Sequence, residues 1–213
     1  MYLYENHYMR KVIFVLVCGL FVFGKCKKST GVQVDFVPLT VGSNWTYQNN
    51  PGGTSKLTVT SKDTTVASGR SYKVLSNSTG PNAYWGKSGN EYYRFSDLQG
   101  AIPQGFEELY LKSDQSVNAT WMIPVQVNVP GLGMQTVNLG YKIVEQGLNK
   151  TVQGNNYSDV TKVSLTATLS IATVGTGEFF YAKGVGLISG TMTFTGTGAP
   201  TTQTTELVSY EIK

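Results

Sequence analysis

Histidine and cysteine are nearly missing from this chain, which holds one histidine and two cysteines in 213 residues. His7, Cys18 and Cys26 all fall in the first 26 positions. Whatever follows Cys26 has no thiol for a disulfide, so side-chain burial must hold it together. Without histidine, the usual Ser-His and Cys-His mechanisms have no base. Zinc, copper and iron sites lose their commonest ligand. No Gly-x-Ser-x-Gly elbow and no EF-hand spacing occur; oxygens near Asn155, Asn156 and Asp159 come nearest to a calcium site. Gly184-Val185-Gly186 opens no helix, so no phosphate-cradling loop is indicated. The inventory therefore points to no catalytic residue, no metal and no cofactor.

Charge is sparse as well, with 14% of residues charged. After Cys26 the basic residues are scattered singly apart from Lys27-Lys28. Nucleic-acid binding needs a basic stripe, so nucleic acid is not an expected partner.

Long apolar runs are limited to one, residues 12–23, which follows Arg10-Lys11 and leads into Gly24-Lys25-Cys26. A bilayer-spanning helix needs about 20 such residues, so the run is too short for a permanent span. A positive start, a short apolar core and a small residue near a cysteine describe a secretory leader ending in a lipid-attachment site. The expected organisation is a cleaved signal peptide at 1–25, a lipidated Cys26 opening a tether at 26–35, and one domain at 36–213. Met9 offers a second possible start, and Cys18 is disfavoured as the lipid site by bulky Val17 before it.

The rest of the chain reads as strands. Over 159–171, Val163, Leu165, Ala167, Leu169 and Ile171 alternate with polar residues, the period of a half-buried strand. Shorter alternations include Leu57 and Val59, Val125 to Val129, Met192 and Phe194, and the closing Val208, Tyr210 and Ile212. Turn residues separate them, among them Pro51-Gly52-Gly53, Ser88-Gly89-Asn90 and Gly154-Asn155-Asn156. The segment 95–111 is broken by Gly100, Pro103 and Gly105 and reads as a loop with at most one helical turn; 195–205 reads as a long hairpin connection. The expected fold is all-β: a single antiparallel β-sandwich, or a curved, partly closed β-barrel.

The leader resembles lipoprotein signals of Bacteroidota, which often carry Lys-Lys after the cysteine, although Lys25 departs from their usual small residue. Two strings extend the resemblance to envelope lipoproteins of that group: Pro38-Leu39-Thr40-Val41-Gly42-Ser43-Asn44-Trp45-Thr46-Tyr47, and Tyr181-Ala182-Lys183-Gly184-Val185-Gly186-Leu187-Ile188. It implies a cell-envelope location and brings no activity with it. Surface-export signals of the group tend to be acidic after the cysteine; the basic Lys27-Lys28 leans towards the periplasmic side of the outer membrane, with the cell surface as the alternative. Asp63-Thr64-Thr65 is similar to a short O-glycan acceptor motif of exported proteins of the group, which makes Thr64 a candidate modification site.

Candidate ligand-binding residues are aromatic. Tyr84-Trp85 and Tyr92-Tyr93, with Phe95, flank the turn Ser88-Gly89-Asn90, and each adjacent pair sends one ring to either face of a hairpin. Trp45 joins the set, although packing suits it better than ligand contact. Glu107-Glu108 is the adjacent acidic pair; on a strand its carboxylates face apart, as expected of a solvated edge. The functional expectation is a membrane-anchored, non-catalytic binding protein for a lipid, a glycan or an envelope protein. One alternative is a structural scaffold of an envelope complex. The other is a glycoside hydrolase, which needs two of Asp97, Glu107 and Asp114 about 5–10 Å apart across a cleft.

Overall fold

Twelve strands account for most of the described chain: β1 (Asn44–Asn50), β2 (Gly53–Thr65), β3 (Ser71–Asn77), β4 (Ala83–Ser88), β5 (Glu91–Ser96), β6 (Phe106–Lys112), β7 (Thr120–Val129), β8 (Gly133–Val152), β9 (Asn155–Leu169), β10 (Ala172–Ala182), β11 (Gly186–Phe194) and β12 (Thr201–Glu211). The structure is a computed structural model, and it describes residues 35–96, 105–129, 133–195 and 199–213, within a unit running from Val34 to Lys213. Cys26, the leader, the tether up to residue 34, Asp97 and residues 130–132 and 196–198, which were expected to form turns, lie outside the described residues.

All twelve strands form one antiparallel sheet in the order β6-β5-β4-β3-β2-β1-β12-β11-β10-β9-β8-β7. Chain neighbours are sheet neighbours except at one place, the step from β6 to β7. β1 pairs with β12, joining the two ends of the domain, and β6 and β7 are left as the two edges.

The sheet curls until those edges meet. The Trp121 indole on β7 donates to the Leu109 carbonyl on β6 at 2.7 Å. The Tyr141 hydroxyl on β8 donates to Glu108 on β6 at 2.6 Å. Strands at opposite ends of the order touch only if the sheet closes on itself, so the fold is a barrel-like sheet with a seam between β6 and β7. One continuous sheet sets the sandwich alternative aside.

The concave face holds the core in two clusters. Trp45, Tyr47, Val59, Leu75, Val160, Ile188 and Leu207 form one. Val37, Tyr92, Tyr110, Leu111, Tyr141, Val163, Leu165 and Tyr181 form the other. On β9, Val163, Leu165 and Ala167 are buried between more exposed neighbours, as the alternation requires.

The two strings that carry the family resemblance interlock. Trp45 Nε1 donates to the Val185 carbonyl at 2.6 Å, and the Tyr47 hydroxyl donates to the Leu187 carbonyl at 3.0 Å. The Gly184 amide donates to the Asp35 carbonyl at 2.7 Å, and Gly184 adopts φ 78°, a conformation glycine takes without strain.

Several local expectations need correction. Phe95, Ser96 and 106–111 belong to strands β5 and β6 rather than to a loop with a helical turn. Thr201 to Thr205 belong to β12, which shortens the expected connection. Ile171 is almost wholly exposed, because β9 stops at Leu169 and Ser170, at φ 55°, turns the chain into β10. Leu207 is the buried residue of β12 while Val208 and Tyr210 are exposed, because β12 bulges at Val208, between the pairs Tyr47↔Leu207 and Thr46↔Ser209.

Candidate functional site

The β4–β5 hairpin sorts the candidate aromatics by face. Tyr84 stands opposite Phe95, Trp85 opposite Arg94, and Gly86 opposite Tyr93. Trp85 and Tyr92 point into the barrel, where Trp85 tilts against Trp45 at 5.2 Å between ring centres and Tyr92 accepts the Phe36 amide at 3.1 Å. Tyr84, Tyr93 and Phe95 lie on the convex face. Trp45 is fully buried with its indole N–H satisfied, so it is a core residue here. The six candidates thus fall into an inner group of three and an outer group of three.

On the convex face the β2–β3 turn acts as a flap. Between Val59↔Leu75 and Asp63↔Lys73, four residues of β2 advance against two of β3, and such a bulge bends the strand. Beyond it, Arg70 reaches Glu107 on β6 at 3.1 Å, and its guanidinium lies 3.4 Å from the centre of the Tyr93 ring on β5. Three strand spacings, about 14 Å, separate β3 from β6 in the sheet, so the turn must lean over β4 and β5 to make these contacts.

Between flap and sheet lies a groove of about 270 Å³, lined by Thr64, Thr65, Val66 and Ala67 on one wall and Tyr84 and Phe95 on the other. Its aromatic wall is held from behind. Phe95 sits 6.0 Å from both Tyr84 and Tyr72, edge-to-face with the first and tilted against the second. A Cβ at Gly86 would fall 3.0 Å from the Tyr72 ring, and one at Gly105 would fall 2.6 Å from the tip of Phe95. Thr64, the candidate modification site, is half-buried in the groove wall.

A polar latch fastens the flap. Glu107 Oε1 accepts from the Tyr72 hydroxyl at 2.6 Å and from Arg70 at 3.1 Å. Burial pushes the Glu107 carboxyl up, but the Tyr72 hydroxyl, Ser68 and Arg70 outweigh it and leave it below its usual range. Burial, then the bond to Glu107, raises the Tyr72 hydroxyl. Burial first, then its bond to Glu91, pushes Tyr93 up to about 12.

Glu108, one residue on, faces the interior. Arg94 binds it through both Nε and Nη2, at 3.1 and 2.8 Å, and Tyr141 donates to Oε1. Burial alone would lower the Arg94 guanidinium, but Glu108 beside it reverses the shift and keeps it charged. The expectation of a solvated acidic pair is therefore corrected: β6 directs Glu107 outward and Glu108 inward, and each carboxylate is bound by its own arginine. Neither has the free, facing partner that hydrolysis of a glycosidic bond needs.

Arg70, Tyr72, Val66 and Ala67 were not singled out from the sequence. The signal that could have found them is the run Ser68-Gly69-Arg70 after Asp63-Thr64-Thr65, a turn followed at once by a cation and an aromatic.

No protein-family model and no curated protein matches the chain. Two solved structures are similar to it. One is a candidate lipoprotein of Parabacteroides distasonis, 13% identical, with a TM-score of 0.49 over 84% of this chain and 99% of that one. The other is a candidate exported protein of Bacteroides fragilis with a YmcC-like fold, 10% identical, with a TM-score of 0.42 over the same shares.

Proposed function

We propose that this chain is a lipid-anchored cell-envelope protein whose barrel-like domain binds a ligand on its convex face and carries out no chemistry. Cys26 supplies the anchor, and the domain faces the periplasm from the outer membrane, in keeping with the basic residues after that cysteine. The observation that carries the binding reading is the groove under the β2–β3 flap, with an aromatic wall fixed by Tyr72 and by the two close-packed glycines. The arginine-bound carboxylates and the absence of histidine after Cys26 support the non-catalytic part.

The test is native mass spectrometry of the protein purified from its host in mild detergent, with labelled palmitate in the growth medium. Acyl label lost in Cys26→Ala, with a non-covalent adduct lost in Tyr84→Ala, supports the proposal. An unlabelled chain overturns the anchor, and an adduct-free chain overturns the binding role. The filled concave face favours the scaffold reading as the rival, and it is the reading that co-purification of a stoichiometric envelope protein without adduct would support.

A further inference from the structure

Resting on the binding reading above, we infer that the flap groove takes a neutral saccharide. Four features of the groove carry this. First, among the described residues no Asp, Glu, Lys or Arg lines it. Arg70, on the same turn as the flap wall, is committed to Glu107 and to the face of Tyr93. A phosphate or a uronic acid would find no uncompensated positive charge there, and burying an anion without one is costly.

Second, the walls differ in chemistry. Tyr84 and Phe95 stand edge-to-face, which leaves aromatic surface turned to the groove. The other wall carries Thr64 and Thr65, the hydroxyl of Thr65 also bonded to that of Ser71 at 3.2 Å. A sugar ring has the matching asymmetry: apolar C–H faces that stack on aromatic rings and a rim of hydroxyls that exchange hydrogen bonds with threonine. An acyl chain has no polar rim and would strip water from these hydroxyls without replacing its hydrogen bonds.

Third, a volume of about 270 Å³ is small for a drug-sized ligand and suits one or two sugar units of a longer chain. Fourth, the platform is ordered before the ligand arrives. Phe95 is held by Tyr72, Tyr84 and the backbone at Gly105, and the flap is latched by Arg70 and Tyr72 on Glu107. Preorganisation lowers the ordering cost of a weak, stacking-based contact.

The experiment is calorimetric titration of the full lipoprotein in detergent with four probes: neutral oligosaccharides (gluco-, manno-, xylo- and galacto-series), oligogalacturonate, palmitate and a tyrosine-rich peptide. The expected result is binding of at least one neutral series alone, weakened roughly three- to tenfold by Tyr84→Ala, which removes one stacking ring. Ala67→Trp, an exposed flap residue whose enlargement fills the groove without removing any packing, should abolish it. The Ala67→Trp result stands even if Tyr84→Ala loosens the hairpin, and thermal melts identify that case. Binding of oligogalacturonate, palmitate or peptide in place of neutral sugars overturns the inference. So does neutral-sugar binding that neither variant alters. A groove-dependent adduct of another class in the native mass spectrum would overturn the saccharide assignment and leave the binding reading standing; no adduct and no titration signal would remove both.

Discussion

Tyr141→Phe tests how the barrel closes. The substitution removes one hydroxyl and keeps the ring, which stacks on Trp121 at 5.4 Å and 5° between planes. What is lost is the 2.6 Å bond to Glu108, a carboxylate whose side chain is 10% exposed. A hydrogen bond to a charged group contributes about 1.5–3 kcal/mol. Arg94 still binds Glu108 through two nitrogens, so the carboxylate is not stranded and the lower half of that range applies. For a domain of this size each kcal/mol moves Tm by about 2–4 °C, so a fall of roughly 3–8 °C is expected. Urea unfolding should show a lower midpoint at unchanged slope, and amide exchange should speed up along β6. In a double-mutant cycle with Glu108→Gln, the two costs should fall short of additivity by about 1 kcal/mol, because the second change finds the bond already weakened. Arg94→Leu should cost more, about 3 kcal/mol, since it leaves Glu108 half-paired; the partial exposure of Arg94, 30%, argues for the low end of the range for broken buried pairs. A Tyr141→Phe effect below about 0.5 kcal/mol, or an additive cycle, would refute the claim that this contact holds the seam.

Trp45→Phe should lower stability by about 2–4 kcal/mol in urea unfolding, because it strands the Val185 carbonyl and leaves part of the indole volume empty. Gly86→Ala should cost about 1–3 kcal/mol and blunt ligand binding together, since the new Cβ meets the Tyr72 ring at 3.0 Å and the Ser71 carbonyl at 3.2 Å; unchanged melting and affinity would contradict the packing described. The Glu107 latch should respond to acid. Its carboxyl is held below the ordinary 4.5 in the folded protein, so its contribution is complete above that value and drains away as pH falls through the lowered one. Flap amides 66–70 should lose exchange protection below about pH 4.5 in the wild type, and Glu107→Gln should show the same protection at both pH values.

Much of this architecture is readable from the chain. The alternation along β9 marks a strand with one buried face, and the doublets Tyr84-Trp85 and Tyr92-Tyr93 announce rings on both faces of a hairpin. What cannot be read is whatever depends on register between distant strands. Leu207 rather than Val208 turns inward because β12 bulges at Val208, which has no partner on β1. The Glu107-Glu108 pair looks solvated because its partners Arg70 and Arg94 stand 37 and 14 residues away, and nothing local marks either carboxylate for burial. The flap escapes notice for a related reason: the two extra residues of β2 are visible only against β3. Gly86 and Gly105 read as ordinary turn or spacer glycines until the rings they accommodate are in place.

The pairing of β1 with β12 bears on how the protein must be made. Trp45 on β1 stands opposite Tyr210 on β12, so the first strand waits for the last before it has a neighbour on that side. Such remote pairing makes folding slow. Until the carboxyl end is in place, β1 keeps one unpaired edge and no backbone ladder joins the two halves of the sheet. A version cut short before its final strand would be a substrate for quality-control proteases, not a partly working protein.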